Sequence, residues 1–137
     1  MVIARHYVES LFDHSRREFP NEACGLLATK DGVVVKFYPI ENADASPVHY
    51  RMEPHQQLQA MLEIDDSGWE LGAIFHSHTH TRAYPSQTDV GLALYPDTLY
   101  VIVSLADQDN PDIRAFSIAQ GEIKERALSV EADAVNR

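Results

Sequence analysis

The stretch HSHTHTRAYPSQTD, residues 76–89, sets histidines at every second position and then supplies a serine and an aspartate. Side chains two residues apart in a strand point to the same face, so His76 and His78 can converge on one point. Ser86 is a good helix N-cap, and Asp89 then falls in the first turn of the following helix. Two neutral imidazoles and one carboxylate are typical of a catalytic zinc ion that keeps one coordination position for water.

The same stretch also fits a polar loop that is merely rich in histidine, with Ser86 and Asp89 doing no more than capping a helix. His80 adds a second ambiguity, because His78 and His80 have the same spacing as His76 and His78. The spacing of residues within the loop does not distinguish these interpretations. A candidate acid/base elsewhere in the chain would favour the metal site.

Hydrolysis by metal-activated water needs a group that accepts a proton and returns it to the leaving amine. Glu22, in the segment PNEACGLL, is the candidate, because it enters an apolar strand after Pro20 and can face inward beside a sheet. A glutamate that is simply solvated is the competing interpretation. Cys24 is the only cysteine, which excludes an internal disulfide and a cysteine-rich zinc site; we expect it to be packed rather than catalytic.

The elements around these residues predict an α/β (α+β) fold with a mixed, mainly antiparallel β-sheet flanked by helices. Helices are expected from Ala4 to about Glu18, from Pro54 to about Asp65 with Leu58, Met61 and Leu62 on the buried face, and from Ser86 to about Tyr95. Strands are expected at CGLLAT and VVVKFYPI around an Asp31-Gly32 turn, at ELGAIFHSH, at LYVIVSL, and in a final hairpin of DIRAFSIA and EIKERALSV.

Composition favours one domain over residues 1–137, with a tail, about 128–137, that we expect to be frayed. The net charge of −10 argues against a general nucleic-acid binder, which needs a basic surface. It is compatible with high solubility or with a salt-rich cytoplasm. Neither a membrane-spanning apolar run nor a signal-peptide layout is present in the sequence, so we expect a cytoplasmic protein with no membrane partner.

Taken together, Glu22, the triplet His76-Ser77-His78, seven residues, Ser86, two residues and Asp89 resemble the signature of the JAMM (MPN+) zinc metalloprotease family. The downstream part, H-S-H-x7-S-x2-D, matches without a gap. The resemblance covers essentially the whole chain, and it implies the family's cytidine-deaminase-like fold, a mixed sheet with flanking helices.

The resemblance also implies a role for each matching residue. His76, His78 and Asp89 would bind one Zn²⁺ per chain, and the family spacing selects this pair of histidines over the shifted one. Glu22 would act as general acid/base on the metal-activated water. Ser86 would donate a hydrogen bond to the oxyanion that develops in the transition state.

Three further segments are similar to the small bacterial branch of the CysO-cysteine peptidase type: P-x-E-A-C-G-L, N-A-x-x-S-P-x-x-Y-R over Asn42–Arg51, and A-Y-P-S-x-T-D. This branch implies hydrolysis of an amide after the C-terminal Gly-Gly tail of a ubiquitin-like sulfur-carrier protein, with release of cysteine. It also makes Asn42–Arg51 a candidate for substrate contact.

Two alternatives stay open, a non-catalytic MPN-type metal-binding or scaffold module and a JAMM isopeptidase with a different ubiquitin-like substrate. A zinc nucleoside deaminase is excluded, because that class needs a glutamate within its histidine motif and a pair of cysteines.

Overall fold

The computed structural model describes residues 1–133. Its strands are β1 (Val2–Ala4), β2 (Cys24–Lys30), β3 (Val33–Ile40), β4 (Glu70–His78), β5 (Leu99–Ser104), β6 (Asp112–Ala119), β7 (Glu122–Arg126) and β8 (Ser129–Glu131). Its helices are α1 (Arg5–Glu18), α2 (Pro54–Asp66) and α3 (Gln87–Gly91). No helix within residues 1–133 is long and apolar enough to cross a membrane.

The strands form one sheet in the order β7-β6-β5-β4-β2-β3-β1-β8. Antiparallel ladders join β2 to β3 and β4, and β6 to β5 and β7, whereas β4 and β5 are parallel. The short β1 adds parallel pairs with β3 and β8. The mixed, mainly antiparallel sheet with flanking helices is therefore confirmed. Because parallel neighbours need a long crossover, the chain between β4 and β5 must leave the sheet, and this excursion carries α3.

The alternation of side chains along β4 places its residues in two different environments. Ala73 and Phe75 are fully buried in the core under α1, whereas Ile74 packs in the second core under α2. The centre of the strand is therefore buried on both faces of the sheet. Burying a phenylalanine completely contributes roughly 1.5–3 kcal/mol, so the strand that ends in the histidines is firmly anchored.

The turn between β2 and β3 has the conformation that an Asp-Gly turn predicts. Asp31 and Gly32 both have positive φ, at 51° and 78°, as a two-residue hairpin turn requires. The bounds of β4 also match the sequence-based expectation residue for residue.

Two helix predictions are corrected. In α2, Leu58 and Leu62 are 56% and 54% exposed, and the buried residues are Ala60 and Ile64 with Met61 partly buried beside them. The helix is thus rotated about its axis so that the face with Ala60 and Ile64 packs on the sheet. These side chains are small or β-branched and allow a close approach. The third helix ends at Gly91 rather than near Tyr95, because glycine is a poor helix former and no residue of α3 is buried to stabilise a longer helix.

The end of the chain also differs from the prediction. The segment EIKERALSV is not one strand, since β7 ends at Arg126 and Ser129–Glu131 pairs with β1 at the opposite edge of the sheet. The free edge of β1 offers backbone groups that need partners, and β8 supplies them. Part of the tail that we expected to be frayed, Ser129–Glu131, is thus a strand, and residues 134–137 lie outside the described residues.

Candidate active site

Three side chains converge where β4 ends and α3 begins. The Nε2 atoms of His76 and His78 lie 3.1 Å apart. The Oδ2 atom of Asp89 lies 3.1 Å from Nε2 of His76 and 2.9 Å from Nε2 of His78. Within residues 1–133, these three residues are the one group of potential ligands that could hold a metal ion.

Asp89 reaches this position through the start of α3. Its backbone N–H donates to Oγ of Ser86 at 3.0 Å, and its Oδ2 accepts from the backbone N–H of Ser86 at 2.9 Å. This capping box fixes both the helix start and the direction of the carboxylate. The oxygen that caps the helix is the one that faces both imidazoles.

The surroundings of the two imidazoles fix their orientation. Nδ1 of His78 lies 2.9 Å from the carbonyl oxygen of Arg82 and donates to it, so Nε2 of the neutral ring carries a lone pair. The ring of Tyr50 stacks on His76 with centroids 4.7 Å apart and planes inclined by 23°. Nδ1 of His76 is buried and has no hydrogen-bond partner.

The ionisation of the cluster suits a cation. Burial lowers the pKa of His76, which favours the neutral ring. Burial opposes ionisation of Asp89, but hydrogen bonds from His76 and His78 outweigh it and hold the pKa of Asp89 below its ordinary value. For His78, burial lowers the pKa, but the hydrogen bonds to Asp89 and to the carbonyl of Arg82, together with the negative charges of Asp89 and Glu22, outweigh it, so the pKa is raised. A proton on His78 and a metal ion would therefore compete for the same lone pair.

The separations of the three atoms fit zinc. In a tetrahedral site with bonds of about 2.0 Å, the ligand atoms lie about 3.3 Å from one another. The observed 2.9–3.1 Å are close to this value. Three lone-pair atoms that face one another repel unless a proton or a cation lies between them, so the donor set fits the ion that the sequence predicts.

Glu22 lies just before β2 and is 4% exposed. Its Oε1 is buried and has no hydrogen-bond partner among residues 1–133. Burial raises the pKa of Glu22 to about 8, with His78 acting in the opposite direction and Asp89 adding to the rise. A cavity of about 340 Å³ is lined by Glu22 together with His78 and Ser86. A carboxylate with such a pKa can exchange a proton near neutral pH.

Ser86 contributes its hydroxyl at the rim of this cavity. Its Oγ accepts from the N–H of Asp89, which leaves the hydroxyl proton available to a group in the cavity. The side chain is exposed, so a substrate carbonyl can approach it.

The chain matches the family described as prokaryotic homologs of the JAB domain over residues 4–119. It belongs to this JAB (JAMM) family. It is 39% identical to the CysO-cysteine peptidase of Mycobacterium tuberculosis over 132 residues, which cover 95% of this chain and 90% of the relative. It is 30% identical to the desampylase of Haloferax volcanii, with 90% of this chain and 91% of the relative covered.

A solved structure has a similar fold. The solution structure of a protein from Desulfitobacterium hafniense superposes with a TM-score of 0.87 and is 36% identical, covering 97% of this chain and 94% of the other. The resemblance to the JAMM family and to its CysO-peptidase-like branch is thus confirmed. Because this family consists of peptidases, this chain is a hydrolase.

Two further residues considered from the sequence, His80 and Cys24, lie apart from the three ligand candidates. His80 is exposed and packs its ring edge-on against Phe19, with centroids 5.6 Å apart. It lines the same cavity as Glu22 but does not join the cluster. Cys24 is fully buried, its Sγ donates to the carbonyl oxygen of Ile40, and burial raises its pKa to about 12, which fits packing rather than thiol chemistry.

Sequence reasoning missed two residues of this JAMM centre. Tyr50 was noted only as part of the segment Asn42–Arg51, and no spacing rule indicated that it would stack on His76. Ser77 was noted only as part of the motif His76-Ser77-His78; the structure shows its Oγ accepting from the N–H of Ala23. The alternation of β4 predicts which face Ser77 occupies but not the partner on that face.

Proposed function

We propose that this chain is a zinc-dependent peptidase that hydrolyses the amide after the C-terminal glycine of a ubiquitin-like sulfur-carrier protein and releases cysteine. One observation carries the catalytic part: the ligand atoms of His76, His78 and Asp89 converge beside a cavity that also holds the unpartnered carboxylate of Glu22. A scaffold module gains nothing from keeping a buried carboxylate without a partner, because burial of an unpaired charge is costly.

His76, His78 and Asp89 would hold Zn²⁺, which supplies Lewis acidity that acidifies water and polarises a carbonyl. Oε1 of Glu22 accepts a proton from the attacking water, and the oxygen of that water bonds to the carbonyl carbon. The Ser86 hydroxyl donates to the carbonyl oxygen as negative charge develops there. Glu22 then delivers the proton to the leaving nitrogen as the C–N bond breaks, which regenerates the carboxylate.

The substrate class rests on the relatives and on the size of the site. The names of the two relatives described above, CysO-cysteine peptidase and desampylase, are those of enzymes that cleave proteins or protein conjugates. The CysO-cysteine peptidase is more similar to this chain than the desampylase is. The cavity of about 340 Å³ takes one small residue but not a folded domain. A flexible Gly-Gly tail can bring its last amide to such a cavity while the carrier domain stays outside, which supports a ubiquitin-like partner.

The test is cleavage of a sulfur-carrier protein that bears a C-terminal cysteine, followed by mass spectrometry. The zinc-loaded chain is expected to remove one cysteine residue, and a chelator or the Glu22→Gln variant abolishes the loss. Glu70→Gln is the matched control, because Glu70 is exposed at the opposite end of β4. Intact adduct after incubation with the zinc-loaded chain would refute the proposed substrate.

The similarity to the desampylase favours a second candidate, hydrolysis of an isopeptide bond between a ubiquitin-like protein and a lysine of another protein. The two candidates differ only in the leaving amine. A lysine-linked conjugate offered in parallel separates them: release of the conjugated protein at a higher kcat/KM than release of cysteine assigns the isopeptidase function.

A further inference from the structure

Glu22 lies outside the sheet that supports the rest of the site. β2 begins at Cys24, so the strand ladder does not hold the backbone of Glu22. Its buried Oε1 has no hydrogen-bond partner either. The direction of this carboxylate must therefore depend on whatever fixes its backbone.

Two partners fix that backbone, and both come from the segment between β3 and α2. The N–H of Glu22 donates to the carbonyl oxygen of Ser46 at 2.8 Å. The carbonyl oxygen of Glu22 accepts from Nδ2 of Asn42 at 3.0 Å. The loop that was considered for substrate contact thus also holds the candidate base.

Asn42 is the centre of this loop. Its Nδ2 donates to the carbonyl oxygens of Glu22 and His49, both at 3.0 Å. Its Oδ1 accepts from the N–H groups of Asp44 at 3.2 Å and Arg51 at 3.1 Å. The side chain is buried and uses both of its polar ends, so few other residues could replace it.

The same loop touches the rest of the site. Tyr50 stacks on His76. Oγ1 of Thr79, which directly follows β4, donates to the carbonyl oxygen of Pro47 at 3.0 Å. The loop therefore contacts Glu22, the ligand candidate His76 and the start of the crossover between β4 and β5.

We propose that Asn42 is a positioning residue, whose side-chain amide holds the backbone of Glu22 so that the carboxylate stays directed at the centre formed by His76, His78 and Asp89. The inference rests on the proposed function in that Glu22 serves there as the base. Proton transfer depends steeply on placement, and a displacement of about 1 Å costs about 100-fold in rate.

Two variants separate positioning of Glu22 from support of the loop. Asn42→Asp keeps the size of the side chain and the oxygen that accepts from Asp44 and Arg51, but it replaces the nitrogen that donates to the carbonyls of Glu22 and His49 with an oxygen that repels both. Asn42→Ala removes all four bonds. Ser15→Ala is the control, because Ser15 is buried and bonds to the carbonyl oxygen of Leu11 within α1.

With zinc-loaded protein and the cysteine-bearing carrier, both Asn42 variants are expected to lower kcat by about 100-fold. KM should change by less than about twofold, since only a transition-state interaction is lost. Zinc content should stay at the wild-type value, and Ser15→Ala should keep the wild-type kcat. Wild-type kcat in Asn42→Asp, or a fall in kcat explained by lost zinc, overturns the inference.

Amide hydrogen exchange gives a readout that needs no substrate. In Asn42→Asp the carbonyl of Glu22 is no longer held, so the bond from its N–H to Ser46 should open more often and the amide of Glu22 should exchange faster than in the wild type. The amides of Arg51 and Ala23 should keep their protection, because their acceptors, Oδ1 of residue 42 and Oγ of Ser77, stay in place. Unchanged exchange at Glu22 also overturns the inference. If the wild type itself cleaves no carrier, the proposed function fails, whereas the exchange result still reports whether Asn42 holds Glu22.

Discussion

The Oγ atom of Ser77 accepts a hydrogen bond from the backbone N–H of Ala23 at 2.8 Å, across a sequence separation of 54 residues. The N–H of Ser77 returns a bond to the carbonyl oxygen of Ala23 at 3.0 Å. Because Cys24 pairs with His76 in the ladder, these bonds extend the contact between the two strands to the residue beside Glu22. The serine between the two histidines thus connects the ligand candidates to the candidate base.

Ser77→Ala should lower the free energy of unfolding by about 1–3 kcal/mol, because it leaves the buried N–H of Ala23 without an acceptor. Chemical denaturation measures the loss. Ser10→Ala is the control: Ser10 is only partly buried on α1, and its hydroxyl bonds back to the carbonyl oxygen of His6. Equal stability of the two variants would contradict the assigned role of Ser77.

Replacing one ligand candidate should abolish stoichiometric zinc binding. His76→Ala and Asp89→Ala each leave two ligand atoms, too few for a tight zinc site. His80→Ala should bind one zinc ion per chain like the wild type, because His80 lies against Phe19 outside the cluster. Metal analysis after dialysis measures the zinc content of each variant. Loss of zinc in His80→Ala would instead favour the shifted pair His78 and His80.

Zinc affinity should fall as the pH falls. Burial lowers the pKa of His78, but its hydrogen bonds to Asp89 and Arg82 and the nearby carboxylates together raise it above 6.5, so below that raised pKa the metal-free ring holds a proton that zinc must displace. Each proton released changes the affinity by at most about tenfold per pH unit. Calorimetry in buffers with different ionisation enthalpies measures the release, which should be larger at pH 6 than at pH 8; equal release at both would contradict it.

His14 should make the protein sensitive to acid independently of the metal. Burial lowers the pKa of His14, which lies in α1 with Nε2 3.2 Å from the carbonyl oxygen of Cys24. Below about pH 6.5 the unfolded chain then binds a proton that the folded chain resists, so stability is lost on acidification by at most about 1.4 kcal/mol per pH unit. Unfolding measured between pH 7.5 and 5 should show a shallower decline for His14→Leu than for the wild type. An equal slope would contradict this.

Local signals predicted much of the fold. The turn at Asp31-Gly32 and the bounds of β4 follow from turn chemistry and apolar patterning. The spacing of Ser86 and Asp89 likewise predicted a helix start, which the capping box confirms. These features depend on residues close together in the sequence, where spacing and geometry are directly linked.

What the sequence did not predict depends on contacts between distant segments. Asn42 is 20 residues from Glu22, and no periodicity links a buried amide to a backbone carbonyl at that separation. The rotation of α2 has the same origin: its buried face follows the space above the sheet rather than the largest side chains. Likewise, β8 forms where β1 leaves an edge open, which the sequence of β8 alone does not reveal.

The carboxylate of Asp89 both starts α3 and faces the two imidazoles, so a five-residue helix with no buried side chain owes its place to the cluster of His76, His78 and Asp89. A helix this short does not persist by itself. Loading with zinc should consequently decide whether chymotrypsin cuts after Leu92 and Leu94, both highly exposed just beyond the helix. The protease resistance of this segment would then depend directly on its metal content. In a cell, proteases would degrade the zinc-free protein and leave the zinc-loaded protein intact.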